Sequence, residues 1–97
     1  MATHDGPMTL TGEIVDLMCY LDHEAAGAEH SGCASKCIGA GGPVGLLTKD
    51  HGLFLVVGNH KPINDTLAPL AAKTVTLKGK VVEKHGMKLL ENAVVVN

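Results

Sequence analysis

The sequence predicts a mainly β fold, a five-stranded OB-like Greek-key barrel with helical segments inserted between strands. Three observations favour this fold. Apolar and polar residues alternate along several short segments, the period of half-buried strands. Glycine-containing turns separate neighbouring segments. One short helical segment falls between the third and fourth strands, the element order of an OB-type barrel. A small open α+β sandwich of the same strands is the alternative.

The first strand is predicted from residue 8 to about residue 18, after a disordered lead-in at residues 1–7. From Met8 to Ile14 apolar side chains fall on one face, while threonines and a glutamate fall on the other. Val15 breaks this alternation, which predicts a bulge or burial on both faces. The chain from residue 8 to residue 97 is expected to form one domain.

A loop of small and polar residues is predicted next, beginning at residue 19. It leads into a short helix at residues 30–38, which a glycine-rich segment at 39–43 ends. This helical insert lies between the first and second strands.

Two apolar runs, at residues 44–47 and 53–57, flank a polar turn and predict a hairpin. A second short helix is predicted at residues 65–72. Its Pro69 is tolerated only in the first turn, so the N-cap is expected near Thr66.

The last two strands are predicted on either side of a turn at His85 and Gly86. In the fourth strand, from Thr74 to Val81, one parity is expected to face inward: Val75, Leu77, Gly79 and Val81. The fifth strand is predicted at residues 87–96, where valines give high strand propensity. Met87 is expected in the core.

The composition indicates that this core needs an additional stabilising element. The chain has 97 residues, of which 45% are hydrophobic and only 2% aromatic, together with twelve glycines. For so short a chain, hydrophobic burial and conformational entropy come close to cancelling. Three cysteines and six histidines are the residues that could supply the missing stability.

Charge and termini exclude several classes of function. All eight basic residues are lysines and the net charge is -2, so nucleic-acid binding is not expected. No apolar run is long enough for a transmembrane helix, so no membrane partner is expected. The N-terminus lacks the pattern of a signal peptide. We therefore expect a cytoplasmic protein if the chain is native, and a periplasmic or secreted one if an export signal was removed.

The motifs favour a binding protein over an enzyme. The sequence carries no Ser-His-Asp arrangement, phosphate loop or paired carboxylates. A metal hydrolase or oxidase with an open coordination position stays an alternative. The sequence does not define the oligomeric state.

The cysteines and two histidines predict a metal site. His30, Cys33 and Cys37 fall at positions i, i+3 and i+7 of the predicted helix, which is one face. Cys19, at the end of the first strand, can complete four ligands. A Cys3His set suits tetrahedral zinc, and four protein ligands indicate a structural role. His23 is a spare donor.

Other interpretations of these residues stay open. Sulfur and imidazole also suit copper(I), and Met18 beside Cys19 is consistent with a copper carrier or sensor that passes its ion to a protein partner. In a thiol redox module, Cys33 would attack and Cys37 would resolve. The cysteines could instead be inert buried residues. Asp16 is expected as a turn residue or as a group that orients a histidine ligand.

Three segments of the chain form a recognisable order: Gly12-x-x-Val15-Asp16-x-x-Cys19-Tyr20, His30-x-x-Cys33-Ala34-x-x-Cys37 and Gly42-Pro43-Val44-Gly45-Leu46-Leu47. Together they resemble a largely uncharacterised family of small bacterial proteins. The resemblance covers residues 8–96, including a strand-turn-strand tail, and implies an OB-like barrel with Cys19, His30, Cys33 and Cys37 as a linked set. Many relatives are exported, whereas this chain shows no signal. The family brings no named activity.

Overall fold

Five strands form a closed barrel in a computed structural model that describes residues 6–96. Around the barrel the order is β1-β2-β3-β5-β4, with β4 pairing again with β1. Strands β3 and β5 are parallel, and every other pair is antiparallel. This confirms the predicted OB-like barrel. The strands are β1 (Gly6–Asp16), β2 (Val44–Thr48), β3 (Leu53–Val56), β4 (Thr74–Lys84) and β5 (Met87–Val95).

Three short helices occupy the connections of the barrel. Helices α1 (Leu17–His23) and α2 (Ser31–Gly39) lie between β1 and β2, and α3 (Asn64–Leu67) lies between β3 and β4. A 3-10 turn at Ala28–His30 leads into α2, and another at Ala68–Leu70 follows α3. Within residues 6–96, no helix is long and apolar enough to cross a membrane.

Helix α1 corrects the loop predicted from residue 19. No residue of α1 is buried, so its sequence lacks the apolar periodicity by which a packed helix is recognised. Helix α2 agrees with the prediction to within one residue at each end, because Ala34 and Ile38 form a regular buried face.

The core consists of the inward faces of the strands and one face of α2. In β4 the predicted inward residues Val75, Leu77 and Val81 are buried. In β1 both Ile14 and Val15 are buried, so the broken alternation reflects burial on both faces. The register irregularity falls instead in the pairing of β4 with β5, between Lys78 and Lys80, where β5 carries one extra residue.

Three local predictions need correction. Gly6 and Pro7, assigned to the disordered lead-in, pair with β4 as the first residues of β1, while residues 1–5 lie outside the described part of the chain. Met87, expected in the core, is 76% exposed beside the β4–β5 turn. The N-cap of α3 is Ile63, because the helix begins earlier than its proline suggested.

Gly12 lies where β1 pairs with both β2 and β4. A Cβ atom at this position would lie 2.5 Å from the Leu47 carbonyl oxygen. The chain needs glycine here because the backbones of two strands approach each other too closely for any side chain.

Candidate metal centre

Asp16 occupies the junction between the barrel and the helical insert. It ends β1 and is the N-cap of α1, where its Oδ1 accepts a hydrogen bond from the Met18 backbone N–H at 3.2 Å. The residue is only 2% exposed, and its buried Oδ2 atom has no hydrogen-bond partner. Buried polar atoms are nearly always paired, so this oxygen indicates a position where a cation or another donor would bind.

Two cysteines converge on the same carboxylate. Cys19 lies in α1 one turn after Asp16, and Cys37 lies in the last turn of α2. One ligand atom from each of the three residues lies within 4.8 Å of the other two. Tetrahedral zinc with bonds of about 2.0–2.3 Å holds its donor atoms about 3.3–3.8 Å apart. A small inward movement would bring this cluster, called here the Asp-Cys-Cys cluster, to that geometry.

The carboxylate changes the acidity of both thiols. Because a protonated thiol can donate toward Asp16, the pKa of Cys19 is raised from 9.0 to about 11, with desolvation and the Asp16 charge adding to the effect. The pKa of Cys37 is raised by the same causes in the same order. Thiol ligands bind metals as thiolates, so a cation entering the cluster would displace their protons.

These raised pKa values predict a pH dependence of the metal-free, reduced protein. A thiol whose pKa is higher in the folded state stabilises the fold below its unfolded pKa, and that contribution is lost as the pH rises through the folded value. We expect the free energy of unfolding to fall between pH 9 and about 11. Urea unfolding across this range, compared with a Cys19→Ser, Cys37→Ser double variant, measures the contribution. An equal slope in both proteins would contradict the assignment.

Cys33 and His30, predicted as ligands, border the cluster without belonging to it. Cys33 is exposed, one turn before Cys37 on α2, and a side-chain hydrogen bond between the two thiols contributes to the raised pKa of Cys37. His30 is half-buried, with its Nε2 atom 3.8 Å from Glu29 Oε1. Both line a cavity of about 30 Å³ together with Asp16, Cys19, His23, Ala25 and Ala34.

The structure thus brings together part of the predicted set and adds one residue. Cys19 and Cys37 meet as expected. Asp16, predicted as a turn or cap residue or as a group that orients a histidine ligand, is the N-cap of α1 and also contributes an oxygen atom to the cluster. Its position three residues before Cys19 was the available signal, because an N-cap side chain turns back toward the first turn of its own helix. His23, the spare donor, is exposed and its Nδ1 atom lies 3.2 Å from Asp22 Oδ2.

Backbone and side-chain hydrogen bonds fix the ends of both helices. The Leu17 N–H donates to the Pro43 carbonyl, and the Gly42 N–H donates to the Cys37 carbonyl, both at 3.0 Å. From α3, the Asn64 Nδ2 group donates to the Ile38 and Gly42 carbonyls at 2.6 and 2.7 Å. The last turn of α2, which carries Cys37, is therefore held from two directions.

Replacing Asn64 tests this restraint. Asn64→Ala removes both hydrogen bonds and leaves the part-buried Gly42 carbonyl without this donor, while the Ile38 carbonyl keeps its bond from the Gly41 N–H. We therefore expect a loss of about 1–3 kcal/mol in the free energy of unfolding. Asp65→Ala, at the exposed neighbouring position, is the matched control and is expected to stay within about 0.5 kcal/mol of the parent protein. Urea unfolding measures both variants. Equal stabilities would show that Asn64 does not restrain α2.

No protein-family model, no curated protein and no solved structure matches the chain. The family resemblance of the cysteine and histidine segments therefore stays a prediction. The assignment of a function depends on the geometry of the Asp-Cys-Cys cluster.

Proposed function

We propose that the protein binds one zinc ion at the Asp-Cys-Cys cluster, with Cys33 as the fourth ligand, and that the ion ties the helical insert to the barrel. The observation that carries this proposal is the buried Asp16 Oδ2 atom. It lacks a hydrogen-bond partner and lies within 4.8 Å of two cysteine sulfurs. A cation bound among these atoms would pair the oxygen and compensate the negative charge of both thiolates.

The oxygen donor favours zinc over copper. Zinc accepts carboxylate oxygen together with thiolate sulfur, whereas copper(I) selects soft sulfur ligands. Met18, the additional soft donor considered for copper, is 58% exposed. We therefore place zinc first and keep a copper carrier as the alternative.

A structural role follows from the weakness of α1. This helix has seven residues and buries none of them. Isolated helices of this length are marginal in water, because nucleation is unfavourable and only packing compensates for it. An ion bound by Cys19 would attach α1 to α2 through Cys37 and to the barrel through Asp16.

Cys33 is the preferred fourth ligand because it lies one turn before Cys37 on α2 and lines the cavity that Asp16 and Cys19 also line. As an exposed side chain it can change rotamer without disturbing the core. His30, on the same cavity wall, is the alternative and would give the mixed cysteine and histidine set predicted from the sequence.

Elemental analysis and a zinc competition titration test the proposal. Protein purified without added metal is expected to contain one equivalent of zinc, and Cys19→Ser or Cys37→Ser to abolish its retention. Cys33→Ser should weaken binding far more than His30→Ala, and His51→Ala, at an exposed turn histidine, is the matched control. A metal content well below one equivalent, with unchanged thermal unfolding of the cysteine variants, would refute the zinc site. A preference for copper(I) over zinc would favour the carrier.

A further inference from the structure

We infer that Cys19 and Cys37 form a reversible disulfide when the protein meets a hydroperoxide, and that this bond replaces the metal ion as the link between α1 and α2. The release of zinc in this inference rests on the proposed function. The choice of the cysteine pair rests only on the placement of the three thiols.

Cys19 and Cys37 are the two thiols that the Asp-Cys-Cys cluster brings together. Their sulfur atoms lie within 4.8 Å of each other, and a disulfide requires about 2.05 Å. The two residues belong to different helices, and α1 has no buried side chain to hold it in place. Side-chain rotation and a small shift of α1 can close the gap without opening the core.

Cys33 and Cys37 are a poor pair although they are closer in sequence. Residues four apart on a helix have Cβ atoms about 5–6 Å apart, whereas a disulfide needs about 3.5–4.5 Å. Bridging them would distort the last turn of α2. That turn is the one held by the Asn64 hydrogen bonds to Ile38 and Gly42. Cys33 is therefore expected to stay a free, exposed thiol.

The chemistry is a two-electron oxidation in two steps. In the zinc-loaded protein both sulfurs would be thiolates in spite of their raised pKa values, because metal binding displaces their protons. One of them attacks a peroxide oxygen, the O–O bond breaks, and the products are a sulfenic acid and, with hydrogen peroxide, one water molecule after protonation. The second cysteine attacks the sulfenic sulfur, the S–O bond breaks, and a second water leaves. In total two thiols and one peroxide give one disulfide and two waters. Both sulfurs lose their thiolate charge, so the zinc ion leaves with its two principal ligands gone.

This reaction would replace the coordinate link through the zinc ion by a covalent link between the same two cysteines. In the reduced protein the ion joins Cys19 to Cys37, and in the oxidised protein the disulfide does. The insert would thus stay attached while the ion is released. Oxidation would change the metal content of the protein without unfolding α1.

Peroxide treatment of the zinc-loaded, full-length protein tests the inference. Zinc release is followed with a chromophoric chelator, free thiols are titrated, and disulfides are mapped by mass spectrometry of unreduced peptides. We expect one zinc released per disulfide, a Cys19–Cys37 linkage, and a fall from three free thiols to one. Cys33→Ser should form the same disulfide, and Cys19→Ser should form none. The oxidised protein should melt close to the zinc-loaded protein, and reduction with a chelator present should lower its melting temperature.

A metal-free, reduced sample treated in parallel separates this inference from the zinc site. A Cys19–Cys37 disulfide in a protein that never retains zinc would refute the zinc site alone. A protein that binds zinc and yields a Cys33–Cys37 bond, an intermolecular bond or three unreacted thiols would refute the disulfide inference alone.

Discussion

Asp16→Asn is expected to weaken zinc binding by about 100-fold or more and to change the free energy of unfolding of the metal-free protein by no more than about 1 kcal/mol. Replacing a residue that only orients a metal ligand already lowers metal affinity about 10–100-fold. Asp16→Asn replaces a proposed ligand itself. The contrast between a large loss of zinc affinity and a small change in stability is the informative feature. A general loss of structure would lower both quantities.

The physical reason is that the two carboxylate oxygens of Asp16 have different partners. Oδ1 caps α1, and asparagine caps a helix as well as aspartate does. Oδ2 is buried beside two thiols, which can donate toward it only while they are protonated, whereas a bound cation would compensate its charge directly. The amide removes that charge and binds metal poorly.

Zinc competition titration and urea unfolding of the metal-free protein measure the two effects. Asp16→Ala is the companion variant, because it loses the cap as well and should destabilise the metal-free protein by about 1 kcal/mol. Unchanged zinc affinity in Asp16→Asn would remove Asp16 from the set of ligands.

Ile38→Ala is expected to reduce the free energy of unfolding by about 2–5 kcal/mol, the range for truncating a fully buried aliphatic side chain. Ile38 is fully buried and, with Ala34, docks α2 on the barrel. Cys37 directly precedes Ile38 in α2. We therefore also expect weaker zinc binding, because α2 would no longer hold Cys37 against Asp16.

Leu90→Ala provides the matched control for this effect. Leu90 is equally buried but lies in β5, a strand that does not pair with β1. Its truncation should cost a similar free energy of unfolding and leave zinc affinity nearly unchanged under conditions where both variants are folded. Equal losses of zinc affinity in the two variants would contradict the role of Ile38 in holding the cluster.

Sequence patterns predicted the barrel because its strands bury alternate residues. Val75, Leu77 and Val81 show this period directly, and the hairpin between β2 and β3 was marked by its polar turn. Helix α1 could not be predicted by the same criterion. Its residues contribute no side chain to the core, and the interactions that hold it are a cap and backbone hydrogen bonds.

The candidate site was predicted only in part, for two physical reasons. The one-face argument for His30 assumed a continuous α-helix, but His30 ends a 3-10 turn, where successive residues advance by about 120° and leave the register of α2. The position of Asp16 three residues before Cys19 suggested a group that orients a ligand, and its position at a strand end suggested a turn or cap residue, which the structure confirms. Asp16 is identified as a candidate ligand only by two structural facts together: its carboxylate is buried, and Cys19 and Cys37 converge on it.

X-ray absorption spectroscopy at the zinc edge tests the central claim most directly, using protein loaded with one equivalent of zinc. The proposed site predicts three sulfur neighbours at about 2.3 Å and one oxygen at about 2.0–2.2 Å, with the oxygen contribution altered in Asp16→Asn. A first shell of oxygen and nitrogen alone, or a sulfur contribution unchanged in Cys19→Ser and Cys37→Ser, would contradict zinc binding at the Asp-Cys-Cys cluster.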